Sequence, residues 1–122
     1  MHGEAQSAVV VADDDAGIRL VCRVNLELEG YRVLEATSAE ELRRVLAAEH
    51  VDAVLLDLHL GFDDGLALAR GLHASHPEVG VGIFTGSIQR PEEAAEFADD
   101  YLAKPFTLEE LRETVRRLVE RR

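Results

Sequence analysis

The sequence has no tryptophan, a single cysteine and three prolines. One cysteine, Cys22, rules out an internal disulfide, and its place in a helical pattern predicts a small buried apolar side chain. Long hydrophobic runs are missing as well. The longest, such as 8–12 and 53–56, suit buried strands and are far too short to cross a bilayer as a helix. No basic-then-apolar leader opens the sequence, which gives the expectation of a cytoplasmic protein. Positive charge is scarce: 13 basic residues stand against 24 acidic ones, a net charge of -11. That balance disfavours non-specific attraction to nucleic acid phosphates, and direct nucleic acid binding is not expected. Repeats, low-complexity stretches and linkers are also lacking.

What is present is an ordinary globular composition, 47% hydrophobic over 122 residues, enough for one domain with its own core. Apolar strand-like runs alternate with helical patterns throughout. Strands are expected near 8–13, 31–36, 52–57, 79–85 and 100–103, and helices near 15–29, 38–49, 65–76, 91–98 and 107–121. The 52–57 run is apolar on both faces, as a parallel strand covered by helices on each side must be. Ser38 with Glu41, and Thr107 with Glu110, have the spacing of capping boxes. Pro91 suits a first helical position. In the last helix Leu108, Leu111, Val115, Leu118 and Val119 share a face. Five βα units with short connections predict a doubly wound α/β sandwich over 8–122, after a disordered lead-in at 1–7. The last helical pattern ends at the last residues, so no output domain is expected within them.

In an open parallel sheet, ligands gather beyond the carboxyl ends of the strands. The first strand ends in Asp13 and Asp14, with Asp15 opening the helix. The third ends in Asp57, the fourth in Thr85 and Gly86, the fifth in Lys104 and Pro105. Three carboxylates, a hydroxyl and an ammonium thus converge on one edge. Carboxylates in such quarters repel, and bind either protons or a cation. Oxygen ligands with room for water and phosphate favour Mg²⁺. The metal, Lys104 and Thr85 together would neutralise the oxygens of a phosphoryl group in flight. Asp57, ending the central strand, is the best-placed nucleophile, since a carboxylate can form an acyl phosphate.

The segments Val10-Val11-Ala12-Asp13-Asp14-Asp15, Val54-Leu55-Leu56-Asp57-Leu58, Asp64-Gly65, Ile83-Phe84-Thr85-Gly86 and Asp100-Tyr101-Leu102-Ala103-Lys104-Pro105-Phe106 resemble, in order, the motifs of two-component response-regulator receiver domains. The resemblance spans nearly the whole sequence. It implies a flavodoxin-like (βα)5 fold, strand order 2-1-3-4-5, and a phosphoryl group taken from a histidine kinase or histidine phosphotransfer protein. It further implies that Asp14 binds Mg²⁺ directly and Asp13 mainly through water. Asp57 would be both phosphoacceptor and metal ligand, with the backbone carbonyl of His59 completing the set. Lys104 would pair with the phosphate across a cis bond to Pro105, and Thr85 and Tyr101 would act as the switch. Their coupled shift would bias the surface made by the 91–98 segment, the 100–103 strand and the last helix.

Some positions depart from the family pattern. Gly61 replaces the usual proline four residues after the acceptor, which predicts a looser loop. The stretch from Thr85 to Lys104 is a few residues short, which predicts an abbreviated or partly unwound helix there. Thr114 stands where many DNA-binding regulators carry arginine, and the expected state is a monomer, with a phosphorylation-linked dimer as the alternative. His59, and more weakly Ser87, border the phosphoryl position and are candidates for tuning dephosphorylation; a surface histidine is the plain alternative. In the first helix Ile18, Val21 and Cys22 are expected in the core, with Asn25 interrupting the stripe. Leu20, Val24 and Leu28 form a second stripe, either buried by a rotation of the helix or free as a docking face for the phosphodonor.

Asp63, Asp64, Asp99 and Asp100 are better placed as loop and cap residues than as ligands, and His2, His50, His73 and His76 show no metal-ligand grouping. A haloacid-dehalogenase-type phosphotransferase would need an aspartate where His59 stands. A flavodoxin-like cofactor binder would need a phosphate loop where the three aspartates stand. A pseudo-receiver, binding partners without phosphorylation, is the remaining rival. The domain is not expected to be an enzyme in the turnover sense, since it promotes only its own phosphorylation and dephosphorylation.

Overall fold

Short runs of β-branched and apolar residues pair in parallel where an amphipathic helix returns the chain to the same edge of the sheet. The computed structural model describes residues 6–86 and 95–121. In chain order the elements are β1 (Ala8–Ala12), α1 (Ala16–Leu28), β2 (Arg32–Ala36), α2 (Ala39–Ala48), β3 (Ala53–Asp57), β4 (His59–Leu60), β5 (Asp63–Asp64), α3 (Gly65–Ser75), β6 (Gly80–Thr85), β7 (Asp100–Ala103) and α4 (Leu108–Glu120). The main sheet runs β2-β1-β3-β6-β7, all parallel. This is the expected order 2-1-3-4-5, because β4 and β5 form a separate two-stranded hairpin.

Both faces of the sheet are covered. On one side Val10, Val54, Leu56 and Ile83 pack with Leu42, Ala69 and Leu72 of α2 and α3. On the other, Val9, Val11, Leu55 and Phe84 pack with Cys22 and Leu26 of α1 and Leu111, Val115 and Leu118 of α4. All of β1 and all of β6 are buried, which explains why both are apolar up to the polar Thr85 at the end of β6.

The caps are mostly those the spacing predicts. Thr107 and Glu110 form a complete capping box, and Asp15 and Asp64 cap α1 and α3 by accepting amides of the first turn. Ser38 makes only half a box. Its hydroxyl accepts from the Glu41 amide, but the Glu41 carboxylate turns to the Thr37 amide, 2.6 Å away, and to the Thr37 hydroxyl.

Three expectations are corrected or displaced. Gly61 does not leave its loop open: with φ at +61° it turns the β4–β5 hairpin, Leu60 is buried, and Asp63 accepts from the Ala39 amide at 2.8 Å. Val21 is 41% exposed and lies outside the core, and the buried stripe of α1 is Cys22 and Leu26, with Ile18 packed at its margin. Leu20, Val24 and Leu28 are 60%, 47% and 76% exposed, so the helix is not rotated to bury them. Asn25 is tolerated beside the core because its amide donates to the Val21 carbonyl of its own helix, at 2.8 Å.

The helix expected over 91–98 lies for half its length outside the described residues; 95–96 form a short 3₁₀ turn. Most of the expected lead-in, 1–5, lies outside them too, while Gln6 and Ser7 bond to Gly30 and Arg32. No helix among the described residues is long and apolar enough to cross a membrane.

Candidate functional site

The parallel register brings the ends of β1, β3, β6 and β7 to one edge, and with them five of the predicted side chains. Asp13, Asp14 and Asp57 each offer a carboxylate oxygen within 4.8 Å of the others. Lys104 reaches into the cluster from the β7–α4 connection, its Nζ 2.7 Å from Asp13 Oδ2 and 3.3 Å from Asp57 Oδ2. The Lys104–Pro105 peptide is cis, and the Lys104 amide donates to the Thr85 carbonyl at 2.7 Å. Thr85 is buried at the end of β6, on the strand beside that of Asp57.

The three carboxylates differ in setting. Asp13 is fully buried, and its Oδ1 accepts the Asp15 amide at 2.9 Å. Burial pushes its carboxyl above the ordinary 3.8, against the pull of Lys104 and the Asp15 amide, and the Asp57 charge adds to the upward push. Asp14 is exposed. Asp57 is largely covered, and its Oδ1 accepts the His59 amide at 3.0 Å. Burial pulls the Lys104 ammonium down, but its bonds to Asp13 and Asp57 outweigh this and hold it above the ordinary lysine value. One ammonium therefore serves a group of three carboxylates. That surplus of negative charge, all oxygen and open on the Asp14 side, suits a hard divalent cation such as Mg²⁺.

The remaining predicted residues are dispersed around this centre. His59 has an exposed side chain just beyond the end of β3. Tyr101 is half-buried on β7 and packs against the Val10 and Ile83 side of the core. Leu20 and Val24 lie on the outer face of α1. Ser87 is outside the described residues. Asp63, Asp64, Asp99 and Asp100 are taken up by the Ala39 amide, the α3 cap, Arg121 and Arg117 in turn, as cap and loop residues should be. The Cys22 thiol is pushed up to about 12, by burial first and by the Asp13 charge second, which makes it inert at neutral pH.

Two parts of the site are not evident in the sequence. Phe84, an ordinary strand residue by its pattern, places its ring 5.0 Å from the Lys104 ammonium and stacks on Phe106 at 5.8 Å. Gly65 lies so close to the end of β3 that a Cβ there would stand 2.4 Å from Leu58 Cα and 2.7 Å from the Asp57 carbonyl oxygen. Only the Asp64-Gly65 motif hints at this contact.

Comparison with known proteins agrees with this geometry. The family model described as response regulator receiver domain matches residues 9–116. The chain is 34% identical over 122 residues to Regulatory protein VirG of Agrobacterium fabrum, covering 95% of the chain and 47% of that protein. It is 35% identical over 116 residues to Response regulator MprA of Mycolicibacterium vanbaalenii, covering 93% of the chain and 50% of that protein. The chain thus spans about half the length of the curated relatives it matches. Among solved structures, the receiver domain of the TMAO respiratory system response regulator TorR is 32% identical with a TM-score of 0.87, covering 94% of this chain and 98% of that one. By motif, fold and comparison together, the chain belongs to the response-regulator receiver family of two-component systems.

Proposed function

We propose that this receiver takes a phosphoryl group on Asp57 in a Mg²⁺-dependent reaction, from a histidine kinase or histidine phosphotransfer protein in the cytoplasm. The observation that supports it is the surplus of carboxylate at the edge of the sheet: Asp13, Asp14 and Asp57 against the single ammonium of Lys104. Asp14 and Asp57 would hold the metal, with Asp13 behind them and the His59 carbonyl completing the set. The bound ion would supply charge neutralisation for the transferring phosphoryl group.

The protein's own groups do the rest. The His59 amide orients the Asp57 carboxylate through Oδ1, leaving Oδ2 toward Lys104 as the nucleophilic oxygen. Lys104 is held charged, ready to exchange its carboxylate partners for phosphate oxygens. Thr85 stands at the end of the neighbouring strand to donate to the same group, and Tyr101 follows as the space behind Thr85 changes. That shift alters the surface around β7 and α4 on which a downstream protein reads the state. His59, with its exposed side chain, would affect how water reaches the acyl phosphate, as would Ser87. The exposed Leu20 and Val24 fit a docking face for the donor, in a monomeric receiver spanning 8–122. The domain promotes its own phosphorylation and the later hydrolysis, and turns over no separate substrate.

The test is the intact mass after incubation with Mg²⁺ and a small-molecule acyl phosphate, beside an Asp57→Asn variant. A base-labile phosphate adduct on the wild type alone is the expected result. No adduct, together with no Mg²⁺ binding, would leave a pseudo-receiver that binds partners independently of phosphorylation.

A further inference from the structure

Arg19 lies one turn into α1, and its side chain is only 17% exposed. Its Nη1 donates to the backbone carbonyl of Asp13 at 2.8 Å, and its Nε to Glu35 Oε1 of β2 at 2.9 Å. The second oxygen of Glu35 is taken by Arg23, which also pairs with Glu27. The Asp13 amide donates to the Ala36 carbonyl, the residue after Glu35, at 3.1 Å. Asp13 is therefore held at every polar atom: its amide by β2, its carbonyl by α1, and its carboxylate by Lys104 and the Asp15 amide.

We infer that Arg19 is a positioning residue for the cation site, fixing the turn from which Asp13 and Asp14 project. The inference rests on the Mg²⁺-dependent reading above. A guanidinium behind a cation site opposes the cation by simple Coulomb repulsion. Here Glu35 neutralises it at contact distance, so its geometric effect survives while its charge is largely cancelled. The bridge needs the planar fork of arginine, which can point one nitrogen at a carboxylate and another at a carbonyl. A lysine ammonium has the charge but not this divergent reach. Partners that orient metal ligands from behind typically govern affinity by about 10-fold or more.

The experiment is calorimetric titration of Mg²⁺ into the wild type, Arg19→Met and Arg19→Lys, with a thermal melt of each in the absence of metal. Both variants are expected to bind Mg²⁺ about 10-fold more weakly while still unfolding cooperatively. An Arg19→Lys protein with wild-type affinity would show that charge suffices and overturn the positioning role. So would an Arg19→Met protein within about two-fold of the wild type, even with a lowered melting temperature, since a purely structural residue moves only the melt. If Arg19→Met does not fold, the comparison of Arg19→Lys with the wild type decides. A wild type that binds no Mg²⁺ would instead remove the proposed function itself, and the inference with it.

Discussion

At the N-terminal edge of the sheet, Asp52 and Asp99 flank strands β3 and β7. At the opposite edge stand Asp13, Asp14 and Asp57. Asp52 accepts the Ala8 amide at 2.8 Å through one oxygen and faces His50 through the other. Asp99 accepts the Val81 amide at 2.8 Å and pairs with Arg121 at 3.0 Å. Each of these carboxylates has its own donors and satisfies strand amides that would otherwise be orphaned. At the reactive edge the ratio is reversed, with three carboxylates around one ammonium. The same side chain staples strands where donors match it and leaves a surplus of negative charge where they do not.

The comparison breaks most visibly at Lys104, the one cation among the described residues at the Asp57 edge. Lys104→Ala is expected to slow phosphorylation by small-molecule donors about 100-fold or more, the cost of losing one preorganised charge on the transferring group. Rates of adduct formation by intact mass measure it. A rate within a few-fold of the wild type would mean that the bound Mg²⁺ carries the whole load. At the other edge, Asp52→Ala leaves the buried Ala8 amide without its carboxylate acceptor. It should destabilise the fold by about 2 kcal/mol in urea unfolding while leaving Mg²⁺ affinity as it was. A shift in that affinity would show that the two edges are not independent.

The smallest effect has the opposite sign. Asp13 is held above its ordinary 3.8, so between that value and its folded one the native state keeps a proton that the unfolded chain gives up. Native stability therefore falls as pH rises through this window. Asp13→Asn should raise metal-free stability at pH 7, with the gain disappearing below about pH 4. Urea melts at the two pH values test this, and a destabilised variant at pH 7 would mean that the Lys104 pair outweighs burial and repulsion.

Much of this was legible in the sequence because the signals were local. Apolar runs such as Val9 to Ala12 and Val54 to Leu56 can only be buried strands, and the aspartates that follow them must then meet at one edge. Asp15, Asp64 and Thr107 announced their helices by the usual capping chemistry. The missing parts depend on contacts between distant segments. Arg19 looks like any helix-surface arginine until Glu35 and the Asp13 carbonyl are seen to converge on it. The hairpin at 59–64 has strands of two residues, too short for any periodicity. The exposure of Val21 follows from the rotation of α1 against α4, which a four-residue repeat leaves undetermined, since Leu20, Val24 and Leu28 have the same spacing as a core stripe.

Gly65 gives the acceptor strand a mechanical character. The first turn of α3 presses on Leu58 and on the Asp57 backbone with no side chain between them, and close-packed main chain yields very little. Asp57 is thus a fixed post with a helix braced behind it. In the proposed phosphorylated state, displacement would fall to the other side of the site, toward Thr85 and Lys104. On the proposed function, the bracing would give the signal a direction before any partner is present.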